Sequence, residues 1–386
     1  MKSEKWKVKS AEGGNGLAHG VALAAGAEIA SVRVSAYKIP TDALESDGTY
    51  EWDSTTLVLV EIEAGGQTGI GYTYADEATA RLIELKLAKI IEGLDALDTP
   101  ACWIATTAAV RNLGRPGIAA MAVSAVDVAL WDLKGKLLGV SLVSLLGAAR
   151  WAAPVYGSGG FTSYSIDKLE EQLGGWVAQG IPRVKMKIGR DPQADLQRVA
   201  RARAAIGSQA ELFVDANGAY SRKQALAQAE AFTAEHVTWF EEPVSSDDLE
   251  GLRLLRDRAP APMNIAAGEY GYDSWYFRRM LETGAVDVLQ ADATRAGGIT
   301  GFLQAGALCE AFQLPLSAHC APSLHAALGC AVPRFCHLEY FHDHARIEHL
   351  LFDGALEPEQ GALRPDRSRP GLGIAFKSAD AKQFRL

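Results

Sequence analysis

The sequence predicts an α/β protein: an eight-stranded parallel barrel preceded by a smaller α+β unit. Two observations carry this. From Ala153 onward, short apolar segments alternate with helix-like ones over roughly 190 residues, the pattern of a parallel barrel. Seven of the eight apolar segments also carry an ionisable residue at or near their C-terminal end, where active sites of this barrel class lie.

Residues 1–27, "MKSEKWKVKSAEGGNGLAHGVALAAGA", are basic and then small and Gly-rich; they are expected to form a flexible tail. The α+β unit is assigned to 28–150. In it "ASVRVSAYKI" and "TTLVLVEIEA" alternate as strands, and "GGQTGIGYTYA" reads as a third. A polar loop, 40–54, separates the first two. Helical periodicity follows in "ATARLIELKLAKIIEGL" and in "AAMAVSAVDVALWDLKGKLLG", whose Gly139 is a C-cap candidate.

The barrel is assigned to 151–355. Its strands are "PVYGSGG", "RVKMKIG", "ELFVDAN", "VTWFEEP", "MNIAAGE", "VDVLQAD", "LPLSAHC" and "FCHLEY", with helix-like segments between them. The remainder, 356–386, is punctuated by Gly and Pro and is expected to return to the first unit.

Composition narrows the function. The chain of 386 residues is 48% hydrophobic and 22% charged, ordinary for a globular enzyme. A formal charge of -9 with mixed signs argues against a nucleic-acid partner. No apolar run has the length of a membrane span. Cys102, Cys309, Cys320, Cys330 and Cys336 are odd in number and lack a CxxC pair, which suggests reduced thiols and a cytoplasmic location. A homo-oligomer is expected.

The strand ends supply the chemistry. In "RVKMKIG", Val184, Met186 and Ile188 alternate with Lys185 and Lys187, so both lysines share one strand face. Inside a barrel each ammonium disfavours the other. Asp215, Glu241 and Glu269 come from three successive strands and are expected to converge. Three close carboxylates repel, and hard oxygen ligands suit Mg²⁺. His319 follows the next-to-last strand and Asp292 ends the one before it, a pairing that fixes an imidazole tautomer and raises its basicity.

The motifs "VKMKIG", "VDANGAY", "WFEEPV", "AAGEY", "DATRAGGIT", "SAHC" and "HLEYF", in this order and spacing, make the chain resemble the enolase superfamily, and within it the mandelate racemase-like group. The resemblance covers nearly the whole chain. It implies a modified (β/α)7β TIM barrel with an N-terminal α+β capping domain. It implies that Lys187 is one acid/base, its pKa lowered by Lys185, and that His319 with Asp292 is the other, on the opposite face of the substrate. It implies that Asp215, Glu241 and Glu269 hold the essential Mg²⁺, one per subunit. Glu339, protonated, would hydrogen-bond a substrate carboxylate oxygen, and Asn217 would line the site.

The implied partial reaction is removal of the proton α to a carboxylate through an enediolate, whose charge Mg²⁺, Lys185 and neutral Glu339 would offset. Two bases on opposite faces suit a racemase or epimerase of a 2-hydroxy acid. They equally suit β-elimination, in which His319 protonates a departing 3-hydroxyl. Dehydration of an aldonate or aldarate to a 2-keto-3-deoxy acid is the favoured reading. A barrel that binds sugar acids without turnover is the distant alternative, and no proton-transfer residue is missing.

The polar loop 40–54 is expected to fold over the barrel mouth and to meet a polyhydroxy substrate through Asp47 and Tyr50, with Asp42, Glu45, Ser46 and Thr49 nearby. Tyr74 is a further pocket candidate. Arg295 has two equal readings, a distal-carboxylate ligand or a structural ion pair. Glu242 is expected to point to the outer face. His337, His342, His344 and His349 are expected at the pocket rim or surface, and Cys320 in packing.

Overall fold

A computed structural model describes residues 27–386. The flexible tail expected for 1–27 falls, but for its last residue, outside the described residues.

The first unit opens with an antiparallel sheet of three strands in sequence order, β1 (Ile29–Ser46), β2 (Glu51–Ala64) and β3 (Gln67–Tyr74). One sheet face meets the helix Ile118–Leu138, which ends at Gly139 in the left-handed conformation. Val58, Val60 and Ile62 of β2 pack there with Ala122 and Val126. The helical stretch after β3 is broken into Glu77–Leu82, a wider π-type turn Ile83–Leu87 and Ala88–Ile91. A helix not read from the sequence, Thr99–Ala109, starts with a proline in its first turn.

Loop 40–54 is largely ordered as strand. β1 runs on to Ser46 and β2 begins at Glu51, so only Asp47–Tyr50 turn. The two strands shift register between Pro40 and Glu45 and continue as a hairpin arm. Its tip presses on the barrel: a Cβ on Gly48 would stand 2.5 Å from the carbonyl oxygen of Ala216 and 2.6 Å from that of Ile188. Only glycine permits this approach.

The barrel strands are β4 (Ala153–Gly159), β5 (Arg183–Lys187), β6 (Glu211–Asp215), β7 (Val237–Glu241), β8 (Asn264–Ala267), β9 (Val288–Ala291), β10 (Leu316–Ala318) and β11 (Phe335–Phe341). They lie in sequence order, all parallel, and β11 pairs with β4 to close the ring. The eight segments expected from the sequence are these eight strands. A helix, His342–Leu351, follows the last of them.

Alternation along each strand sorts its side chains. Val184, Met186, Val214 and Phe240 face outward into the layer beneath the helices. Tyr156, Phe213 and Trp239 face inward and pack as an aromatic floor. His337 joins this floor, 4.9 Å from the Tyr156 ring. It is therefore buried inside the barrel, not at a rim, because it lies two residues before Glu339 on the same strand face.

The C-terminal segment touches the first unit at several points. Leu372 donates its N–H to Asp132 at 2.7 Å, and Leu386 donates to the carbonyl of Ala36 at 3.0 Å. Among the described residues no helix is long and apolar enough to cross a membrane.

Candidate active site

Strand register builds the site in tiers. Lys187 on β5 stands beside Asp215 on β6, which stands beside Glu241 on β7. All three point inward, one layer above the aromatic floor. Lys185 sits a step deeper, fully buried, with its ammonium 5.4 Å from the Tyr156 ring centre. Glu269 joins from beyond β8 through Gly268, where a Cβ would strike the carbonyl oxygen of Gln290 at 2.0 Å.

The metal set expected from the sequence comes together. Asp215, Glu241 and Glu269 are buried, and one carboxylate oxygen from each lies within 4.8 Å of the others. Burial, and then the charge of Asp215, push Glu241 up to about 8. Glu269 Oε2 has no hydrogen-bond partner among the described residues. Crowded hard oxygens, one forced toward its neutral form and one without a hydrogen bond, fit a divalent cation such as Mg²⁺.

The lysines lie among these acids. Lys187 Nζ is 2.5 Å from Asp215 Oδ2 and 3.0 Å from Asn217 Oδ1. Lys185 Nζ is 2.5 Å from Glu241, 2.7 Å from Glu339 and 3.2 Å from Asp215. Lys185 lowers Lys187 as expected, but it does not set the balance in this arrangement. Burial lowers Lys187, but Asp215, with Glu269 and Glu339, carries it above the ordinary lysine range, and Lys185 offsets this only in part. Burial likewise works against the Lys185 ammonium, and Glu241 and Glu339 hold it protonated. Burial raises the pKa of Glu339, and Lys185, His319 and Lys187 bring it below the usual carboxylate range, so it is held ionised before any substrate carboxylate faces it. It accepts from Ser158 Oγ at 2.6 Å and from the Cys320 N–H at 3.0 Å.

On the other side, His319 Nδ1 lies 2.8 Å from Asp292 Oδ2. Asp292 uses its second oxygen to accept from the N–H and hydroxyl of Thr294, both at 2.7 Å. Burial raises the carboxyl, and the His319 contact outweighs this and holds it ionised. For His319 burial favours the neutral ring, while the carboxylates of Glu269 and Glu339 lift it above the usual histidine range. Since β5 and β10 are separated by four strands one way round the ring and two the other, Lys187 and His319 stand across the cavity from each other.

The cavity holds about 480 Å³ and is lined by Lys187, Asn217, Glu269, Arg295 and His319, together with the hairpin arm. Asp47, Tyr50 and Tyr74 line it as expected, but Asp47 is largely self-engaged. Its Oδ1 accepts from the N–H of Thr49 and of Tyr50 at 2.5 and 2.7 Å. Tyr50 is mostly exposed and stacks on Trp52. For Arg295 the structure shows the ion-pair alternative: it donates to the Glu269 carbonyl at 3.1 Å and stands 3.7 Å from the Glu269 and Asp292 carboxylates.

One expectation fails for a backbone reason. Glu242 adopts φ 39°, which breaks the strand alternation. Its buried carboxyl stays near the acid cluster, pushed well up by burial and then by Glu269 and Asp215. His344, expected at the pocket rim or surface, is found at the pocket. It is buried, stacks on Tyr74 with ring centres 3.5 Å apart and lines the cavity. Sequence reasoning also missed His325. Its Nε2 accepts the Ala293 N–H at 2.9 Å, so its Nδ1–H faces the Cys320 carbonyl at 2.7 Å. This neutral ring ties the loop after β9 to the loop after β10. Its only signal is its place six residues beyond His319.

Comparison with known proteins agrees with this architecture. Residues 46–147 match the mandelate racemase / muconate lactonizing enzyme N-terminal domain, and residues 168–381 match the enolase C-terminal domain-like family. The chain is 32% identical over 357 residues to the 3,6-anhydro-alpha-L-galactonate cycloisomerase of Streptomyces coelicolor, covering 90% of this chain and 97% of that one. A mandelate racemase/muconate lactonizing enzyme-like protein from Rubrobacter xylanophilus superposes with a TM-score of 0.91 at 57% identity, covering 93% of this chain and all (100%) of that one. The L-talarate/galactarate dehydratase of Salmonella typhimurium, solved with Mg and L-lyxarohydroxamate, superposes with a TM-score of 0.86 at 28% identity over 98% of each chain. The chain belongs to the mandelate racemase / muconate lactonizing enzyme family of the enolase superfamily.

Proposed function

We propose that this protein eliminates a β-oxygen from a sugar acid after removing the proton α to its carboxylate, most directly as a dehydratase of an aldonate or aldarate. The observation that carries this reading is the pair of proton-transfer groups, Lys187 and His319–Asp292, facing each other over three converging carboxylates.

Asp215, Glu241 and Glu269 would hold Mg²⁺, which when bound polarises the substrate carboxylate and makes the α-proton more acidic. Asp215 Oδ2 already faces both lysines. An oxygen given to a cation is no longer the counter-charge of Lys187, and Lys185 then disfavours a second ammonium beside it. Lys185 stays charged and places a fixed positive group where negative charge develops. His319, kept in one orientation by Asp292, carries a proton on the far face and can deliver it to the departing 3-oxygen. Tyr74 Oη and His344 Nδ1 are buried without partners among the described residues, in keeping with a substrate that brings its own hydroxyls.

The cycloisomerase relative supports a second form of the same step. If the 3-oxygen belongs to an anhydro bridge, breaking the same C–O bond opens a ring and no water departs. A panel of aldonates, aldarates and 3,6-anhydro acids, incubated with Mg²⁺ and analysed by mass, separates the two. A dehydratase gives a 2-keto-3-deoxy acid lighter by one water, and a cycloisomerase gives a keto acid of unchanged mass. Inversion at the α-carbon with no keto product from any of them would replace both readings with an epimerase. Full activity after rigorous metal removal would sink the metal assignment.

A further inference from the structure

Cys320 has no part in the elimination, yet its position is unusual. Cys320 and Ala321 are consecutive left-handed residues, with φ 53° and 41°. Adjacent side chains of an extended segment diverge. This turn instead folds the thiol back over its neighbour, placing Cys320 Sγ 3.2 Å from His319 Nε2. The same sulfur is 3.3 Å from Glu339 Oε2, and that oxygen is 3.7 Å from His319 Nε2.

These three separations describe a face of a tetrahedron. Zinc–sulfur bonds of about 2.3 Å and zinc–nitrogen or –oxygen bonds of about 2.0–2.1 Å give sulfur edges near 3.5 Å and a nitrogen–oxygen edge near 3.3 Å. Each observed edge lies within about 0.4 Å of that, given those bond lengths. A fourth group is at hand. Glu269 Oε2, almost fully buried and without a hydrogen-bond partner among the described residues, lies 3.2 Å from His319 Nε2. The support behind the face also suits a metal. Asp292 receives His319 Nδ1–H, so Nε2 becomes the ligand atom once it gives up its proton, the carboxylate–histidine arrangement found behind zinc.

The geometry points to a second cation position in this cavity, formed by His319, Cys320 and Glu339 and selective for a thiophilic divalent ion such as Zn²⁺ or Cd²⁺. It differs in kind from the all-oxygen set of Asp215, Glu241 and Glu269, because sulfur and imidazole favour soft or borderline ions over Mg²⁺. Burial, reinforced by Glu339, keeps the Cys320 thiol protonated in the metal-free protein. Binding therefore forms a metal–sulfur and a metal–nitrogen bond and releases two protons to solvent, one from the Cys320 thiol and one from His319 Nε2. By occupying His319 Nε2, the ion removes the proton-transfer group and closes the site, so soft metals act as inhibitors that excess Mg²⁺ does not displace.

The test needs no substrate. The full chain, stripped with chelator and returned to excess Mg²⁺, is titrated with Cd²⁺ while the ultraviolet thiolate-to-cadmium charge-transfer band is followed. The band should saturate at one ion per chain. Cys320→Ala and Cys320→Ser, each checked for folding by circular dichroism, should lose it. Asp292→Asn should keep the band with affinity lowered about 10–100-fold, the usual cost of removing the group behind a metal-bound histidine. The proposal is overturned if no band forms, if Mg²⁺ abolishes it, or if it survives in both folded Cys320 variants, which would trace it to Cys102, Cys309, Cys330 or Cys336.

Discussion

The ring of charges at the barrel mouth and the tip of the hairpin arm face the same cavity, but they are held in different ways. In the ring, register on rigid neighbouring strands sets each group, and nearly every charge meets two or more others, as Lys185 meets Glu241, Glu339 and Asp215. At the tip, Asp47 closes its own turn and Tyr50 is mostly exposed. The tip reaches the barrel through Gly48 and through the Thr162 N–H bonded to the Ser46 carbonyl at 2.9 Å. On the proposed function, the chemistry would rest on groups fixed by paired neighbouring strands, and any substrate contact of the tip on a turn that can be re-shaped without disturbing them.

The largest effects should therefore come from the ring. Lys187→Ala or His319→Asn should lower kcat by about 10²–10⁴-fold, the usual range for a proton-transfer group. Folding, read by thermal unfolding, should survive in both. A loss of less than tenfold in either, on the best substrate of the wild type, would remove that residue from the reaction. Next comes the contact that joins the two regions. Gly48→Ala forces a methyl against two carbonyl oxygens and should lift the tip. A misplacement on the order of 1 Å can cost about 10²-fold in rate, and the loss should fall on kcat/KM with thermal stability changed little. An unchanged kcat/KM would mean that the tip plays no part in closing the cavity.

The same contrast explains what could be read from the sequence. Strand alternation is a strict period of two, so Lys185 and Lys187 on one face, and acids at successive strand ends, follow from spacing alone. His337 was open to the same reasoning, since it lies two residues from Glu339. Single-residue departures from the period were not legible. Glu242 turns back at φ 39°, and Cys320 folds over His319 at φ 53°. Neither position is glycine, so nothing in the residue type announces the left-handed conformation. The charge states were not legible either. They depend on which carboxylate faces which ammonium, as Glu339, beside Lys185, is brought below the usual carboxylate range despite its burial.

Within the arm, Glu45 is the point most sensitive to pH. It is fully buried, accepts from Trp52 Nε1 at 2.8 Å, and leaves its other oxygen unpartnered among the described residues. Burial, and then Asp343, push it up to about 8 from an ordinary value of 4.5. The folded chain thus holds a proton that the unfolded chain releases near pH 4.5. This contribution to stability is complete below the unfolded value and is lost as pH rises through about 8, at no more than about 1.4 kcal/mol per pH unit. Glu45→Gln cannot ionise, so the melting-temperature difference between variant and wild type should move in the variant's favour from about pH 5 to about pH 8. A difference that stays constant across that interval would show Glu45 to be ionised in the fold.

The smallest effect should come from Asp47, although it lines the cavity. Its Oδ1 serves the Thr49 hydroxyl at 3.0 Å as well as the two backbone N–H groups of the turn. A side-chain cap of this kind is worth about 0.5–2 kcal/mol where it has been measured at helix starts. Asp47→Ala should cost stability at the low end of that range, because the hairpin is also held by β1–β2 pairing through Ser46 and Glu51. If the carboxylate only shapes the turn, Asp47→Asn, which retains an acceptor oxygen, should restore stability and KM together. If it binds a substrate hydroxyl, the two variants should share a raised KM while Asp47→Asn recovers stability alone. The structure favours the first outcome, since the turn already claims the oxygen. The KM of Asp47→Asn decides whether the tip recognises substrate through this side chain or only positions its neighbours.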